Sequence, residues 1–247
     1  MRIAVISDIH GNMEALNTVM NDIEQKECDK IFVLGDLAMA GPEPSSAIKY
    51  FMLKEGLSNF KIIQGNTDLM IVNYNDELYN SLSEKAPIMA RALKYNAFIL
   101  NPIEKNFLKS LPQQIETEVD GVKFLLVHGS PRKNNEDILP STPMVEVEKM
   151  LEGIDADVIL CGHTHIPCGF QTNTKQTVVN VGSVGRPFTP EPKACYLTID
   201  IENNQCQFQH WFLEYDKETA SKKLAKQDYE GSGKLAVTLL NPKERHF

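Results

Sequence analysis

The sequence predicts an α/β protein, with strands and helices alternating at the start of the chain and a second sheet beginning near its middle. Short β-branched runs at Arg2 to Ser7, Lys30 to Leu34 and Lys61 to Gln64 are separated by segments of helical apolar spacing, the pattern of a largely parallel sheet. Asp120-Gly121 divides two further apolar runs and is a strong hairpin signal. A length of 247 residues, 42% of them hydrophobic, is enough to bury a full core, and a single domain over residues 1–247 is expected.

Taken in order, Arg2 to Ser7 is the first strand, and Met13 to Gln25 follows with Ala15, Leu16, Val19, Met20 and Ile23 on one helical face. Lys30 to Leu34 is the second strand, ended by Gly35; Ser45 to Leu53 is read as a helix and Lys61 to Gln64 as the third strand. From Leu69 to Leu111 the strand signal fades. Glu84 to Leu100 and Ile103 to Ser110 have helical spacing, with Pro87, Pro102 and Pro112 as punctuation, so a helical excursion at 69–111 is expected over the strand ends. Strands return at Ile115 to Val119 and Val122 to Val127; Val158 to Cys161, Gln176 to Val181, Ala194 to Ile201 and Gln205 to Phe212 add more. Asp216 to Lys226 reads as the last helix, and Asp228 to Phe247 carries no assignable pattern.

Composition narrows the function. The longest apolar runs fall far short of the roughly 20 residues a membrane-spanning helix needs, and the first twelve residues lack the apolar length of a signal peptide. Five cysteines, an odd number with no C-x-x-C pair, argue against a disulfide framework and a thiolate zinc site, and fit a reducing cytoplasm. A net charge of -8 disfavours nucleic acid as the partner. A small anionic ligand would then need a metal or arginine to compensate it. A homo-oligomer is left open.

Four of the six histidines stand in Gly-flanked segments just after apolar runs: His10 in SDIHGN, His128 in LLVHGSPR, His163 and His165 in LCGHTHIP. Alone, Asp8-Ile9-His10 is equally a solvated loop, and Gly35-Asp36 is ordinary turn chemistry. His163 and His165 point to one side of an extended segment. Together, Asp8, His10, Asp36, Asn66, His128, His163 and His165 all follow predicted strands and all offer oxygen or imidazole donors. In open α/β sheets that edge binds ligands, and such donors without cysteine suit manganese, iron, nickel or zinc. Two ions about 3.5 to 4 Å apart are a recurring device of phosphoryl chemistry.

At these residues the sequence resembles the calcineurin-like metallophosphoesterases, whose D-x-H, G-D, G-N-H-D/E, H-G or G-H and G-H-x-H pattern is present in order from Asp8 to His165. The resemblance implies a four-layer αββα sandwich, two mixed β-sheets flanked by helices. It implies two divalent ions, manganese foremost: Asp8, His10 and His165 on the first, Asn66, His128 and His163 on the second, and Asp36 bridging. Asp36, Asn66 and His128 are thereby catalytic candidates, for hydrolysis of a small phosphate ester by an activated hydroxide. HGSPR and NVGSVGRPF (Asn180 to Phe188) are similar to loops of the smaller bacterial and archaeal members. Asn66, Arg132 and Arg186 are the corresponding phosphate-binding candidates, the two arginines being equally readable as surface ion pairs.

Other residues have plainer readings. Cys161 and Cys168 suit strands, Asp68 orients a ligand or caps a helix, Trp211 suits a core, His210 is structural or solvated, and His246 lies too near the terminus to be assigned a role.

One departure from the family pattern bears on mechanism. Many relatives have histidine after the metal-binding asparagine, whereas this chain has Thr67, whose hydroxyl is no proton donor near pH 7. The general-acid contribution, typically about 10²- to 10⁴-fold, must be missing or come from elsewhere. Three readings follow: a phosphatase or phosphodiesterase of small esters with good leaving groups; a hydrolase of dinucleoside polyphosphates, a nucleotide substrate; and a non-catalytic scaffold on the same fold.

Overall fold

Alternation along the first strand, β1 (Arg2–Ile6), decides the layering: Ile3 and Val5 face one way, Ala4 and Ile6 the other, and all four are fully buried. A strand with no wet face has to be covered on both sides. The structure, a computed structural model that describes residues 1–242, supplies helices on one side and a second sheet on the other.

The first sheet runs β10 (Gln205–Leu213), β9 (Ala194–Glu202), β1, β2 (Lys30–Val33), β3 (Phe60–Ile62). Its β1, β2 and β3 are parallel, and β9 is antiparallel to both β1 and β10. The second sheet runs β4 (Gln114–Val119), β5 (Val122–Val127), β6 (Val158–Cys161), β8 (Thr177–Asn180), β7 (Cys168–Gln171), with β5, β6 and β8 parallel. Between the sheets, Ile3, Val5, Phe32 and Leu34 share a core with Phe124, Leu126, Leu160 and Val179. Phe32 and Phe124 meet edge to face, ring centroids 6.2 Å apart.

Helices close the outer faces. On the first sheet, α1 (Met13–Gln25) buries Ala15, Leu16, Val19 and Ile23, joined by α2 (Pro44–Met52) and α8 (Lys217–Ala225). On the second, α7 (Met144–Met150) lays Val147 and Met150 over Leu125, Val127 and Ile159. The result is the expected αββα sandwich. Among the described residues no helix is long and apolar enough to cross a membrane.

Between β3 and β4 the chain holds α3 (Asn66–Val72), α4 (Asp76–Lys85), α5 (Pro87–Ile99) and α6 (Pro102–Ser110). The stretch read as one helix from Glu84 to Leu100 is broken at Ala86 (φ -146, ψ 71), because the following Pro87 disfavours helical geometry there and has no N–H to donate. Outside the expected helical excursion α7, β7 and α9 (Ser232–Leu240) escaped the sequence reading, the last within the patternless tail, and near the start of that excursion α3 and α4 were not delimited. Strands β9 and β10 return to the first sheet although they follow the second in the chain. Cys161 and Cys168 end and begin strands as read, whereas His246 lies outside the described residues.

The Phe32–Phe124 contact predicts that Phe124→Ala will lower unfolding free energy by about 3–5 kcal/mol, measured by urea denaturation with an unchanged slope.

Candidate metal centre

Carboxyl ends of parallel strands of both sheets converge on one point. Asp8 and His10 follow β1, Asp36 follows β2, Asn66 opens α3 after β3, His128 follows β5, and His163 and His165 follow β6. Five of these seven have left-handed backbone: Asp8 (φ 55), His10 (47), Asp36 (52), His163 (65) and His165 (61). Such residues cost on the order of 1–3 kcal/mol each and persist where the surroundings over-determine them. Here hydrogen bonds between neighbouring loops do so: Asp8 N donates to Gly35 O (3.0 Å), His10 N to Asp36 O (2.9 Å), and Gly185 N to Asp8 O (2.9 Å).

Three imidazoles are aimed by backbone carbonyls. His10 Nδ1 donates to Met39 O (2.9 Å), His128 Nδ1 to Leu34 O (2.6 Å), and His165 Nδ1 to Arg186 O. A carbonyl only accepts, so Nδ1 carries the proton and Nε2 is the donor atom turned inward. His10 Nε2 and His165 Nε2 converge to 3.2 Å, and Asp8 Oδ1 lies 3.2 Å from the latter. His128 Nε2 lies 2.9 Å from Asn66 Oδ1 and 3.4 Å from Asp36 Oδ1, while the other oxygen of Asp36 faces His10 Nε2 at 3.7 Å. Asp36 thus offers one oxygen to each group of nitrogens. The sets Asp8–His10–His165 and Asp8–Asp36–His128 each bring their donor atoms within 4.8 Å of one another.

His163 is at the rim. Its ring centroid is 5.3 Å from that of His128, but its Nε2 is 3.3 Å from Asp137 Oδ1. Six of the seven sequence candidates therefore converge directly, and the seventh stands beside them with an acidic partner the sequence reading did not include.

Electrostatics suit a cation. Asp8 is fully buried; burial opposes its charge, yet His165, His128 and His10 hold its carboxyl well below the usual range. Asp36 follows the same pattern, with His128 foremost against burial. In return Asp36 and Asp8 outweigh desolvation of His128 and hold it up at about 10. Asp8 Oδ1 is buried with no hydrogen-bond donor, which costs about 1–3 kcal/mol unless a partner compensates it. An orphaned carboxylate oxygen facing the Nε2 atoms of His165, His10 and His128 is what a bound divalent ion would satisfy.

Outer residues hold this arrangement. Asp68 accepts from Gly65 N (3.0 Å) and Leu37 N (3.0 Å), capping α3 and pinning the loop of Asp36; burial and the nearby Asp36 push it up to about 7. Thr67 N donates to Asp36 Oδ1 (2.8 Å), and the Thr67 hydroxyl is buried without a partner. The NVGSVG loop clamps the rest: Asn180 Nδ2 donates to Gly162 O (2.6 Å) and Ser183 Oγ to Asp8 O (2.9 Å). Asp68 caps the helix as read, whereas the roles of Asn180 and Ser183 were missed, because a backbone carbonyl as partner leaves no motif in the chain. His210 bonds Asn180 O (2.8 Å), a structural role, and Trp211 is half-buried with Lys26 over its ring. The two arginine candidates differ: Arg132 is exposed and forked onto Glu136, whereas Arg186 is buried with no carboxylate partner among the described residues.

Two mixed sheets between helices, with oxygen and imidazole donors gathered at the strand ends, define a metallophosphoesterase architecture. Residues 1–204 match the family model of the calcineurin-like phosphoesterase superfamily domain, and the chain belongs to that family. It is 30% identical over 241 residues to protein MJ0912 of Methanocaldococcus jannaschii, covering 91% of this chain and 92% of that one. Among solved structures it is similar to hypothetical protein PH1004 from Pyrococcus horikoshii OT3 (TM-score 0.84, 26% identity, 99% of each chain). A metallophosphoesterase from Sphaerobacter thermophilus shares the fold (TM-score 0.77, 23% identity, 97% of this chain and 98% of that one).

Gly65 packs so closely on Asp36 that a Cβ there would overlap the backbone nitrogen and carboxylate of Asp36. Gly65→Ala is therefore expected to fold but to bind manganese about 10- to 100-fold more weakly, read by calorimetric titration of chelated protein.

Proposed function

We propose that this chain is a hydrolase of small phosphate esters that works with two divalent ions, manganese first, with iron, nickel or zinc as substitutes. The observation that carries the reading is the placement of Asp36, one oxygen towards His10 and the other towards His128. Asp8, His10 and His165 would hold one ion, Asn66, His128 and His163 the other, with Asp36 between. Divalent ions at such a site supply Lewis-acid charge to the phosphate and lower the pKa of water.

The chain's own residues set the rest. Two carboxylates among seven donors leave a pair of divalent ions with net positive charge, so the site favours an anion. Asn66 is half-exposed, unlike the buried Asp8, Asp36 and His128, and stands where a phosphate oxygen would approach. Arg132 would join it only by leaving Glu136. A cytoplasmic setting is compatible with five free cysteines.

No imidazole among the described residues is left over as a leaving-group acid. His10, His128 and His165 turn Nε2 to the donor cluster, His163 faces Asp137, and His210 is bonded to Asn180 O. Thr67 brings only a hydroxyl. Substrates whose leaving group departs as a stable anion are accordingly favoured: aryl esters and, as the second reading, phosphoanhydrides such as dinucleoside polyphosphates.

Metal-stripped protein resupplied with manganese should hydrolyse bis-p-nitrophenyl phosphate, p-nitrophenyl phosphate or diadenosine tetraphosphate, and Asp36→Asn should abolish turnover. Absence of metal-dependent turnover with all three substrates overturns the hydrolase reading and leaves the scaffold. Thr67→His should narrow the gap between aryl and alkyl esters; an unchanged ratio removes the missing-acid argument.

Metal uptake should also depend on pH with a defined sign. His128, raised to about 10 in the cation-free protein, is protonated at neutral pH and must lose that proton to act as a ligand. Manganese affinity should rise from pH 6 to pH 8, with proton release on binding. Calorimetry in two buffers of different ionisation enthalpy reads the proton count.

A further inference from the structure

The guanidinium of Arg186 is a buried cation without a counterion among the described residues. The residue is only 8% exposed, and its one side-chain contact of hydrogen-bond type runs from Nη1 to the sulfur of Met89 at 3.8 Å. A thioether is a weak acceptor, so the charge is desolvated and uncompensated; burial pushes its pKa down to about 10. Proteins seldom leave a buried arginine in that condition unless a ligand completes it.

A second orphan lies beside it. The Tyr229 hydroxyl is buried with no hydrogen-bond partner, and it is the titratable group whose charge bears on Arg186. The Tyr229 ring is held against Tyr95 of α5, centroids 5.3 Å apart. Gly231 of the same turn packs on Ile88, the neighbour of the Met89 that Arg186 touches, so two unpartnered donors, one charged and one neutral, lie between α5 and the turn that precedes α9.

This site is separate from the metal donors. The Arg186 carbonyl accepts from His165 Nδ1, so its backbone stands on the edge of that imidazole away from Nε2, and its guanidinium extends to Met89 of α5. Neither Asp8 nor Asp36 pairs with the guanidinium or contributes to its shift. Tyr229 also lies beyond residues 1–204, the part that matches the family model.

We propose that Arg186 and Tyr229 form a phosphate-binding subsite distinct from the metal centre, taking a phosphate group other than the one at the metal donors. A guanidinium offers two parallel N–H groups to such an oxyanion and a phenol a third donor. The phosphate is either a second one on the substrate or free inorganic phosphate. The first assignment rests on the hydrolase reading; the existence of the subsite does not.

The test separates these. Inorganic phosphate is titrated calorimetrically into the chelated full-length protein. Parent and Asp36→Asn should bind it alike; Arg186→Gln should weaken binding at least tenfold, and Tyr229→Phe, which keeps the ring against Tyr95, several-fold. No binding in the parent, loss in Asp36→Asn, or binding indifferent to Arg186→Gln and Tyr229→Phe each overturns the subsite. Should Arg186→Gln not fold, Arg186→Lys and Tyr229→Phe carry the comparison. The source is then read with manganese present, from kcat/KM for diadenosine tetraphosphate relative to bis-p-nitrophenyl phosphate. A tenfold or greater fall in that ratio in Arg186→Gln assigns the subsite to the substrate; an unchanged ratio with phosphate binding lost assigns it to free phosphate. If phosphate binding follows the expected pattern but no substrate is turned over, the subsite stands and the hydrolase reading falls.

Discussion

Two carboxylates buried side by side are the constraint on which the rest of this molecule depends. Asp8 and Asp36 are both inaccessible to solvent, at the ends of adjacent parallel strands. Like charges this close and this dry repel strongly unless positive charge lies between or around them. The protein answers with imidazoles at 3.2 to 3.9 Å from their oxygens. Among the described residues no lysine or arginine salt bridge, which would fill the site, neutralises them. The carboxylates stay ionised and the centre stays available to a cation.

Aim is then a matter of backbone. The histidine rings are oriented by carbonyls of Met39 and Leu34, both in the connection between β2 and α2, and of Arg186, in the loop between β8 and β9. Fixing the tautomer this way raises the value of Nε2 as a ligand and removes the rotamer freedom an exposed histidine would keep. The left-handed residues serve the same end, because they turn the chain sharply just past the strand and swing the side chain over the strand's end. A close approach follows: Gly65 against the backbone nitrogen and carboxylate of Asp36, and Gly162 against the side chains of Ser7 and Asp8.

This division explains what could be read in advance. Donor side chains are a chemical alphabet, and their order along the chain, each just past an apolar run, marked Asp8, His10, Asp36, Asn66, His128, His163 and His165 without coordinates. The first sheet was legible for the same reason, since fully buried parallel strands read as compact apolar runs. Asp137 beside His163 had no such signature, being an acidic residue in a polar stretch, and the partners of Asn180 and Ser183 are mostly backbone groups that no sequence displays. Helices α7 and α9 failed differently. The first has only seven residues, too few for a period to show, and the second pairs with α8 in a region where turn residues and apolar positions interleave. The two arginines were equal on paper; burial and pairing distinguish Arg132, exposed and forked onto Glu136, from Arg186, buried and with no carboxylate partner among the described residues.

The donors also come from both sheets: Asp8, His10, Asp36 and Asn66 from the ends of the first, His128, His163 and His165 from the ends of the second. The apolar core between the sheets sets their separation but does not fix their slide, because dispersion contacts are non-directional. Polar links across the gap do fix it. His163 N donates to Asp8 Oδ2 (3.0 Å), His128 Nδ1 donates to Leu34 O, and Val184 N donates to Ser7 O (3.0 Å). Those bonds hold the two half-sites in register, so the site is pre-formed to the extent that the sandwich itself is formed. An ion held by donors from both sheets would tighten the same joint, making metal affinity and the alignment of the sheets two expressions of one free energy.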